Sequence, residues 1–317
     1  MTPLIFSMPG NEAAGRALAT ALHSDLGLCE IRRFADGESY VRLGTPVAGH
    51  PVILVCTLDR PDEKILPLAF LAATARDLGA GSVGLICPYL PYMRQDKRFH
   101  AGEAVGARLF AEFLGKTFDW LVTVDPHLHR LHSLKDVLDI PAVVVNAAPA
   151  LSEWIQAHVP NPVLVGPDSE SEQWVAAIAA AVGAPYTIMQ KVRRGDHDVT
   201  VTLSEAMVDP DRTPVITDDI ISTAGTMIAA VHCLRAAGSK PPVCVGVHAI
   251  FAGNAYAALR DAGVTEIVTC NTIGHISNGI DLMPIISDAA RTLLSSPDYD
   301  RIVARSGRGP SVTSSRG

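Results

Sequence analysis

Aromatic residues are scarce in this sequence. They make up 5% of its 317 residues, so its core must be built mainly from aliphatic side chains and alanine. Basic residues are not in excess either, and the net charge of −7 argues against a nucleic-acid-binding surface. No apolar run approaches the ~20 residues that a membrane-spanning helix needs, and no secretory leader is visible. We therefore expect a cytoplasmic protein that binds neither nucleic acid nor membranes.

The cysteines offer no sign of a disulfide framework or a zinc site. There are six of them, and no two form a CxxC pair. Cys56, Cys87, Cys244 and Cys270 each lie in an apolar, strand-like run. We interpret them as small buried thiols, which is the common situation for cysteines in such runs.

Apolar strand-like segments alternate with Ala- and Leu-rich helical segments along most of the chain. The runs 51–57 and 82–89 are continuously apolar, which is typical of parallel strands that are buried on both faces. The alternation indicates βαβ units. The sequence therefore predicts an α/β protein with two tandem, doubly wound domains, 1–146 and 147–296. A flexible tail is predicted over 297–317, because these residues offer little to bury.

The most informative segment runs from an apolar strand, 214–217, into a helix. Two acids, Asp218 and Asp219, end the strand, and small residues with Gly225 form the turn. Free backbone N–H groups and the helix dipole at such a turn suit a phosphate. The side-chain donors there are the hydroxyls of Ser222, Thr223 and Thr226. The acids need sugar hydroxyls or Mg²⁺ as partners. Together with the phosphate-binding turn, they favour a phosphorylated sugar as ligand. The alternative is an ordinary strand–turn–helix junction capped by an acid.

A basic segment follows the strand-like run 82–89. In 88–98 (PYLPYMRQDKR), two prolines stiffen the backbone, and Arg94, Lys97 and Arg98 supply positive charge. Such a loop suits a polyphosphate. The alternative is a solvated loop that happens to be basic.

Two further segments also stand just past predicted strands. In 124–129 (VDPHLH), His127 and His129 lie on one side of an extended chain, where one of them could bind a metal or a phosphate oxygen; ordinary hydrogen-bonded histidines are the alternative. In 165–171, Asp168 precedes a helix, either as its N-cap or as a catalytic acid.

The last two candidates are weaker taken singly. Lys191 and Arg193 alternate on one face of a strand end, where they would neutralise charge in phosphoryl transfer or form a surface basic cluster. Phe34, beside a turn in 33–40, would stack on a purine ring or belong to the core.

The order of these segments resembles the ribose-phosphate pyrophosphokinase family, whose members make phosphoribosyl pyrophosphate from ATP and ribose 5-phosphate. The order is RFADGES, PYLPYMRQDKRF, VDPHLH, GPDSES, QKVRR and TDDIISTAGT, within about 4–295. The stretch PYxPYxRQDK is specific to this family, whereas the loop 215–226 is shared with phosphoribosyltransferases. The resemblance implies two phosphoribosyltransferase-like domains, an ATP side before a ribose 5-phosphate side, and Mg²⁺ as cofactor. It also implies a homodimer or a higher homo-oligomer.

The resemblance assigns roles position by position. The implied ATP-binding residues are Phe34, Asp36, Glu38, Arg94, Gln95 and Asp96. The implied ribose 5-phosphate-binding residues are Asp218, Asp219, Ser222, Thr223, Ala224, Gly225 and Thr226. The implied Mg²⁺ ligands are His127 and Asp168, and the implied catalytic cations are Lys191 and Arg193.

Two departures from the family pattern bear on the substrate. Ser222 stands where the family usually has a third acid, and Glu170 and Glu172 add charge after Asp168. The segment around Ser222 looks closer to the branch common in archaea. The alternatives are a homologue with another sugar phosphate or nucleotide donor, a phosphoribosyltransferase, and a non-catalytic regulatory homologue.

Overall fold

The computed structural model describes residues 2–128, 133–194, 198–202 and 209–306, and for 190–194, 198–202 and 303–306 it describes the backbone alone. These residues form two compact units. The first comprises the described residues up to Val145 together with those from Met283 onward, and the second those from Asn146 to Leu282.

The first unit is built on a parallel sheet. Its strands are β1 (Leu4–Ser7), β2 (Asp25–Leu26), β3 (Cys29–Arg33), β4 (Ser39–Leu43), β5 (Pro51–Val55), β6 (Ser82–Cys87), β7 (Trp120–Val124) and β8 (Ala142–Val145). β3 and β4 form an antiparallel hairpin. The other six pair in parallel in the order β2-β1-β5-β6-β7-β8.

The second unit repeats this plan. Its strands are β9 (Pro162–Gly166), β10 (Tyr186–Ile188), β11 (Gln190–Arg194), β12 (Asp198–Thr202), β13 (Thr213–Ile221), β14 (Val243–Ala249), β15 (Glu266–Cys270) and β16 (Asn278–Ile280). β11 and β12 form an antiparallel hairpin. The others pair in parallel in the order β10-β9-β13-β14-β15-β16.

Helices connect the parallel strands. They are α1 (Glu12–Leu22), α2 (Pro61–Asp77), α3 (Gly106–Thr117), α4 (Ala148–His158), α5 (Glu172–Val182), α6 (Gly225–Ala236), α7 (Ala255–Asp261), α8 (Met283–Leu294) and α9 (Pro297–Ser306). In the first sheet the chain moves from β1 to β2 towards one edge of the sheet, and from β5 through β6 to β7 towards the opposite edge. Right-handed crossovers in opposite directions put helices on opposite faces. The predicted pair of doubly wound α/β sheets is therefore confirmed.

The core of each unit consists of aliphatic strand residues packed against helices. The central strands β5, β6 and β7 are buried along nearly their whole length, which follows from helical cover on both faces. The four cysteines of the strand-like runs are free thiols and buried, as predicted. Among the described residues, no helix combines the length and the apolar character that crossing a membrane requires.

The C-terminal end differs from the sequence prediction. The sequence places the helix now seen as α8 in the second domain, but α8 belongs to the first unit, where Arg291 donates a hydrogen bond to the Ala21 carbonyl at 2.8 Å. The predicted flexible tail starts with the helix α9, in which Tyr299 and Ile302 are buried. Local composition cannot reveal this helix, because its apolar side gains stability only from its tertiary partner. Residues 307–317 lie outside the described residues.

Several elements of the fold were not predicted, among them the strands β2, β8 and β16 and the helix α9. The hairpin β3–β4 and the helix α4 both lie in segments to which the sequence analysis assigned no regular structure. The strands of the hairpin are five residues long and alternate only in part, as CEIRR and SYVRL show, which is a weak signal for strands. α4 carries a proline near its start, a favoured position for this residue.

The contact of α9 with the first sheet leads to a stability prediction. The Tyr299 hydroxyl lies 2.9 Å from the hydroxyl of the buried Ser82 at the start of β6. Tyr299→Phe should therefore destabilise the protein by about 1–2 kcal/mol, because Ser82 loses its buried partner. Calorimetric or urea-induced unfolding measures this change. The half-exposed Tyr186 on β10 provides a matched control, since Tyr186→Phe removes a hydroxyl near solvent. Equal effects of the two substitutions would contradict the observed docking of α9.

Candidate active site

The segment between β13 and α6 has the geometry of an anion-binding turn. Gly225 is the first helical residue, and Ala224 before it adopts a left-handed conformation with φ of 58°. No side chain of the described residues caps this helix, so its first backbone N–H groups lack helical partners. Thr223, Gly225 and Thr226 are exposed. The turn, 222–226, therefore presents backbone and hydroxyl donors at the positive end of a helix dipole; we call it the sugar-phosphate loop.

The two acids before this loop lie close together at the end of β13. The Asp219 N–H donates a hydrogen bond to Asp218 Oδ1 at 3.0 Å. Burial raises the pKa of Asp218 well above its usual value, and the neighbouring charges of Asp219 and Asp168 raise it further. The second unit thus brings together three of the predicted acids, and their mutual repulsion favours the arrival of a positive charge or of hydroxyl donors.

Asp168 follows β9 and has the first of the two roles that the sequence left open, that of an N-cap. Its Oδ1 accepts hydrogen bonds from the N–H groups of Glu170 and Ser171, at 3.1 and 3.3 Å. It therefore caps the short 3-10 turn Ser169–Ser171 that leads into α5. Its charge also acts on Asp218. The added acids Glu170 and Glu172 are both exposed.

Lys191 and Arg193 lie on β11 of the hairpin β11–β12. Lys191 pairs with Val201 and Arg193 with Val199. Residues two apart on a strand lie on the same face of the hairpin, so the backbone agrees with the predicted alternation. The side chains of these two residues lie outside the described part of the structure.

The predicted nucleotide loop, 88–98, follows β6 in the first unit and is held by two contacts of Tyr92. Tyr92 has a φ of 66°, which is unfavourable for a bulky residue. Its hydroxyl donates a hydrogen bond to Asp62 at the start of α2, and its ring lies 5.0 Å from that of Phe110. Burial and the hydrogen bond to Asp62 raise the pKa of Tyr92 to about 12. These contacts hold the backbone immediately before Arg94.

The polar residues of the nucleotide loop point to a surface that a ligand can reach. Arg94 and Gln95 are exposed and Asp96 is half-buried. The Gln95 carbonyl accepts a hydrogen bond from the Ala107 N–H at 3.1 Å, which ties the loop to the start of α3. Farther along, Arg98 Nε donates to the Glu103 carbonyl at 2.8 Å.

His127 follows β7 in the same unit and is half-buried. The preceding Asp125 has a φ of 30°, and its N–H donates to the Val145 carbonyl at 3.0 Å. This bond fixes the direction in which the chain leaves the sheet. His129, the second histidine of the predicted pair, lies outside the described residues.

Phe34, Asp36 and Glu38 form the turn of the hairpin β3–β4. The Phe34 N–H donates to the Glu38 carbonyl at 2.8 Å, and the Glu38 N–H donates to Asp36 Oδ1 at 3.2 Å. The Phe34 ring is 45% exposed, which argues against the interpretation as a core residue. The guanidinium carbon of Arg32 lies 4.6 Å from the centre of this ring and 4.2 Å from that of Tyr40.

The donor chemistry of the second unit fits a divalent cation. Among the described residues, no group of three or more His, Cys, Asp or Glu side chains is arranged as a complete metal site. The carboxylates of Asp168, Asp218 and Asp219 are nevertheless close enough to raise the pKa of Asp218. Mg²⁺ prefers such oxygen ligands and commonly keeps only one or two protein carboxylates beside water and phosphate. A partial site of this kind is compatible with a cation that binds together with a phosphorylated substrate.

The sequence analysis missed the residues that hold the nucleotide loop in place. Asp62 fixes Tyr92 from a position 30 residues earlier in the chain. Glu103 accepts hydrogen bonds from the N–H groups of Phe99 and His100, at 2.7 and 2.9 Å. No motif indicates the contact of Asp62, because it joins two separate elements. The contacts of Glu103 are local, with residues three and four positions earlier in the same loop.

Comparisons with known proteins agree with the fold of two α/β units. Residues 3–117 match the N-terminal domain of ribose phosphate pyrophosphokinase, and residues 133–283 match the phosphoribosyl transferase domain. The chain is similar to the ribose-phosphate pyrophosphokinase of Methanopyrus kandleri, with 32% identity over 281 residues that cover 88% of this chain and 95% of that protein. It is 31% identical to the corresponding protein of Sulfolobus acidocaldarius over 281 residues, 87% of this chain and 95% of that protein. Both relatives are archaeal, in agreement with the branch that the segment around Ser222 resembles.

One solved structure shares the fold. The crystal structure of phosphoribosylpyrophosphate synthetase from Mycobacterium smegmatis superposes with a TM-score of 0.82 at 24% identity, covering 93% of this chain and 99% of that one.

Two parallel α/β sheets, one of them with an uncapped helix start after paired acids, define a protein of the phosphoribosyltransferase-like class. Within that class, the family is decided by how much of the chain matches, because the similarity to the two archaeal proteins spans both units. The chain belongs to the ribose-phosphate pyrophosphokinase family.

The carboxylate cluster leads to a prediction about pH. Since the folded protein holds the Asp218 proton more tightly than the unfolded chain does, stability falls as the pH rises above the unfolded pKa of ~3.9 towards the raised one. The asparagine of Asp218→Asn cannot ionise, so this variant does not lose stability in this way as the pH rises. The ligand-free variant should melt at a higher temperature than the wild type at neutral pH, by about 2–4 °C for each kcal/mol recovered. The difference should vanish as the pH falls towards ~3.9.

Asp261→Asn is the control for this experiment, because Asp261 is an exposed carboxyl of the same unit, at the end of α7. A scan of melting temperature against pH for both variants is sufficient. Asp218→Asn curves that run parallel to those of the wild type at every pH would contradict the proposed repulsion.

Proposed function

We propose that this protein transfers the diphosphoryl group of ATP to the anomeric hydroxyl of ribose 5-phosphate, giving 5-phosphoribosyl 1-pyrophosphate and AMP. The observation that carries the proposal is that one chain holds two phosphate-suited loops. One, 88–98, follows β6, and the other, 222–226, follows β13. A phosphoribosyltransferase needs the second loop but has no use for the first.

Ribose 5-phosphate would bind at the second unit. In this proposal, the uncapped N–H groups of α6 and the hydroxyls of Thr223 and Thr226 hold its phosphate. Ser222 and Ala224 line the same turn. Asp218 and Asp219 accept hydrogen bonds from the ribose hydroxyls, whose O–H donors relieve the repulsion between the two carboxylates.

ATP would bind at the first unit. The exposed Arg94 and Gln95, with Asp96, would meet the nucleotide at the carboxyl end of β6. The exposed ring of Phe34 offers a stacking surface for adenine, and Asp36 and Glu38 shape the turn beside it. In the family this turn reaches adenine across a subunit boundary. We therefore include a homodimer or a higher homo-oligomer in the proposal, together with a cytoplasmic location, where both substrates occur.

The chemistry requires an in-line approach of the anomeric hydroxyl to the β-phosphorus of ATP, with AMP as leaving group. The protein needs no covalent intermediate; it must align the reactants and offset the charge on the polyphosphate. Lys191 and Arg193 are the proposed cations for this task. His127 and Asp168 would hold Mg²⁺, which when bound neutralises charge on the transferring phosphates.

The proposal is tested by incubation of the protein with ATP, Mg²⁺ and ribose 5-phosphate, without any nucleobase. Stoichiometric AMP and phosphoribosyl pyrophosphate support it. Parallel reactions with another nucleoside triphosphate as donor and with other sugar phosphates show whether Ser222 and the acids after Asp168 alter substrate choice. A phosphoribosyltransferase would release no AMP under these conditions, and a regulatory homologue would leave all substrates intact; either result rejects the proposal.

Lys191→Ala tests the catalytic role of the hairpin β11–β12. We expect kcat to fall about 10²–10³-fold, because a donor to the transition state is lost, while ribose 5-phosphate still binds. Lys240→Ala serves as the control, since Lys240 is an exposed lysine of the second unit that donates to the Asp211 carbonyl at 2.7 Å. An unchanged kcat in Lys191→Ala removes this residue from the mechanism.

Gly225→Ala tests the approach of phosphate to the backbone of α6. Among the described atoms, the nearest that a Cβ at Gly225 would meet is Thr223 Oγ1 at 3.8 Å, so folding should be unaffected. The methyl group would instead occupy the space of the ligand. We expect KM for ribose 5-phosphate to rise about tenfold or more, because the variant loses roughly one hydrogen bond to a charged group.

Gly115→Ala in α3 is the matched helix control, because a Cβ there meets no described atom within 4 Å. It should leave both KM values unchanged. Equal kinetics for the two alanine variants would show that no anion approaches Gly225.

A further inference from the structure

The connection between β14 and α7 is hydrogen-bonded to the start of the sugar-phosphate loop. The Phe251 N–H donates to the Ile221 carbonyl at 2.9 Å, and the Ala252 N–H donates to the Ser222 carbonyl at 3.1 Å. These two carbonyls immediately precede Thr223, where the exposed donors begin. The place of the loop therefore depends on the backbone at 251–252.

Phe251 adopts a backbone conformation that it would not hold by itself. Its φ is 40°, in the left-handed region that disfavours bulky residues. Such a conformation persists only where the surrounding structure imposes it, and it is most often found at functional sites. Neither Phe251 nor Ala252 belongs to any motif assigned above to substrate binding, so this strain needs another explanation.

Phe251 forms an aromatic cluster with Tyr256 and His275. The Phe251 ring centre lies 4.6 Å from that of His275 and 5.2 Å from that of Tyr256. The rings of Tyr256 and His275 are 4.8 Å apart, so each ring contacts the other two. Tyr256 belongs to α7 and His275 to the connection between β15 and β16. The cluster thus joins three elements at the carboxyl end of the second sheet.

His275 is itself anchored to the sheet. Its Nδ1 accepts a hydrogen bond from the Ser277 N–H at 3.1 Å, and its own N–H donates to Asn278 Oδ1 at 2.9 Å. Asn278 in turn donates to the Cys270 carbonyl at the end of β15, at 2.9 Å. Burial lowers the pKa of His275. The Ser277 N–H directed at Nδ1 makes this nitrogen the acceptor. The ring therefore has a fixed place against which Phe251 packs.

We propose that His275 and Phe251 are positioning residues for the sugar phosphate: the His275 ring holds Phe251 in its left-handed conformation, and the N–H groups of Phe251 and Ala252 hold the loop 222–226 in its binding geometry. The inference rests on the proposed function, since it concerns the same ribose 5-phosphate site. Neither side chain needs to touch the substrate. Their effect is on how well the donors of the loop are arranged before the ligand arrives.

Two substitutions of His275 separate its ring from its hydrogen bond. His275→Asn keeps a short polar acceptor for the Ser277 N–H but removes the ring. His275→Phe keeps a ring against Phe251 but removes the acceptor. We expect His275→Asn to raise KM for ribose 5-phosphate about tenfold, with kcat and KM for ATP within about twofold of the wild type. His275→Phe should restore KM for ribose 5-phosphate to within about threefold.

His158→Asn is the matched control. The His158 ring stacks on Trp154 in α4 of the same unit with a centroid distance of 4.6 Å, so this variant loses a comparable ring contact. It should leave every kinetic constant unchanged. The proposal is overturned if His275→Asn binds ribose 5-phosphate like the wild type, if His275→Phe is as impaired as His275→Asn, or if His158→Asn shows the same rise in KM.

Hydrogen exchange of the ligand-free protein tests the inference independently of activity. Amides of the peptide spanning 221–228 should exchange roughly tenfold faster in His275→Asn than in the wild type, and near the wild-type rate in His275→Phe. Unchanged exchange in His275→Asn rejects the positioning role even if the enzyme is active. Conversely, the wild type could make no AMP while the two variants still show the expected differences in exchange. That result rejects the proposed function and leaves the positioning role intact.

Discussion

Parallel strand pairing is the constraint on which the rest of this structure depends. Every pairing in the two six-stranded sheets is parallel, so the carboxyl ends of all strands in a sheet lie at one edge. Segments separated by many residues in the chain, such as the ends of β9 and β13, therefore meet without any direct sequence signal. The interaction of Asp168 with Asp218 is a consequence of this pairing. Antiparallel neighbours would place these two acids at opposite ends of their strands.

The two units offer complementary electrostatics. The nucleotide loop of the first unit carries Arg94, Lys97 and Arg98, whereas the end of β13 in the second carries acids whose charges repel one another. Polyphosphate suits the former, and sugar hydroxyls with a divalent cation suit the latter. The net charge of −7 gives no hint of this division. The local charge depends on which residues converge at each sheet edge, and the net charge of the chain does not show this.

Backbone strain marks the same edges. Among the described residues, six other than glycine have a positive φ, and four of them, Tyr92, Asp125, Ala224 and Phe251, follow the carboxyl end of a strand. Three of these residues contact another element: Tyr92 contacts Asp62, Asp125 is hydrogen-bonded to Val145, and Phe251 packs on His275. Such conformations cost free energy and persist where the surroundings impose them. The strain therefore lies in the loops that the proposed chemistry uses, and the supporting residues come from elsewhere in the fold.

The sequence by itself determined the fold class, the strand–turn–helix at 213–236 and the residues whose charge suits phosphate, because apolar runs, turn residues and acid–glycine spacing are local properties. The family resemblance also follows from the sequence alone, because it rests on the order of the motifs along the chain. Only the tertiary structure decided that α8 and α9 return to the first unit, that Asp168 acts on Asp218, and that Asp62 and His275 support loops distant in the chain. The physical reason is that these contacts join separate elements, and their energy depends on distances that no local pattern encodes.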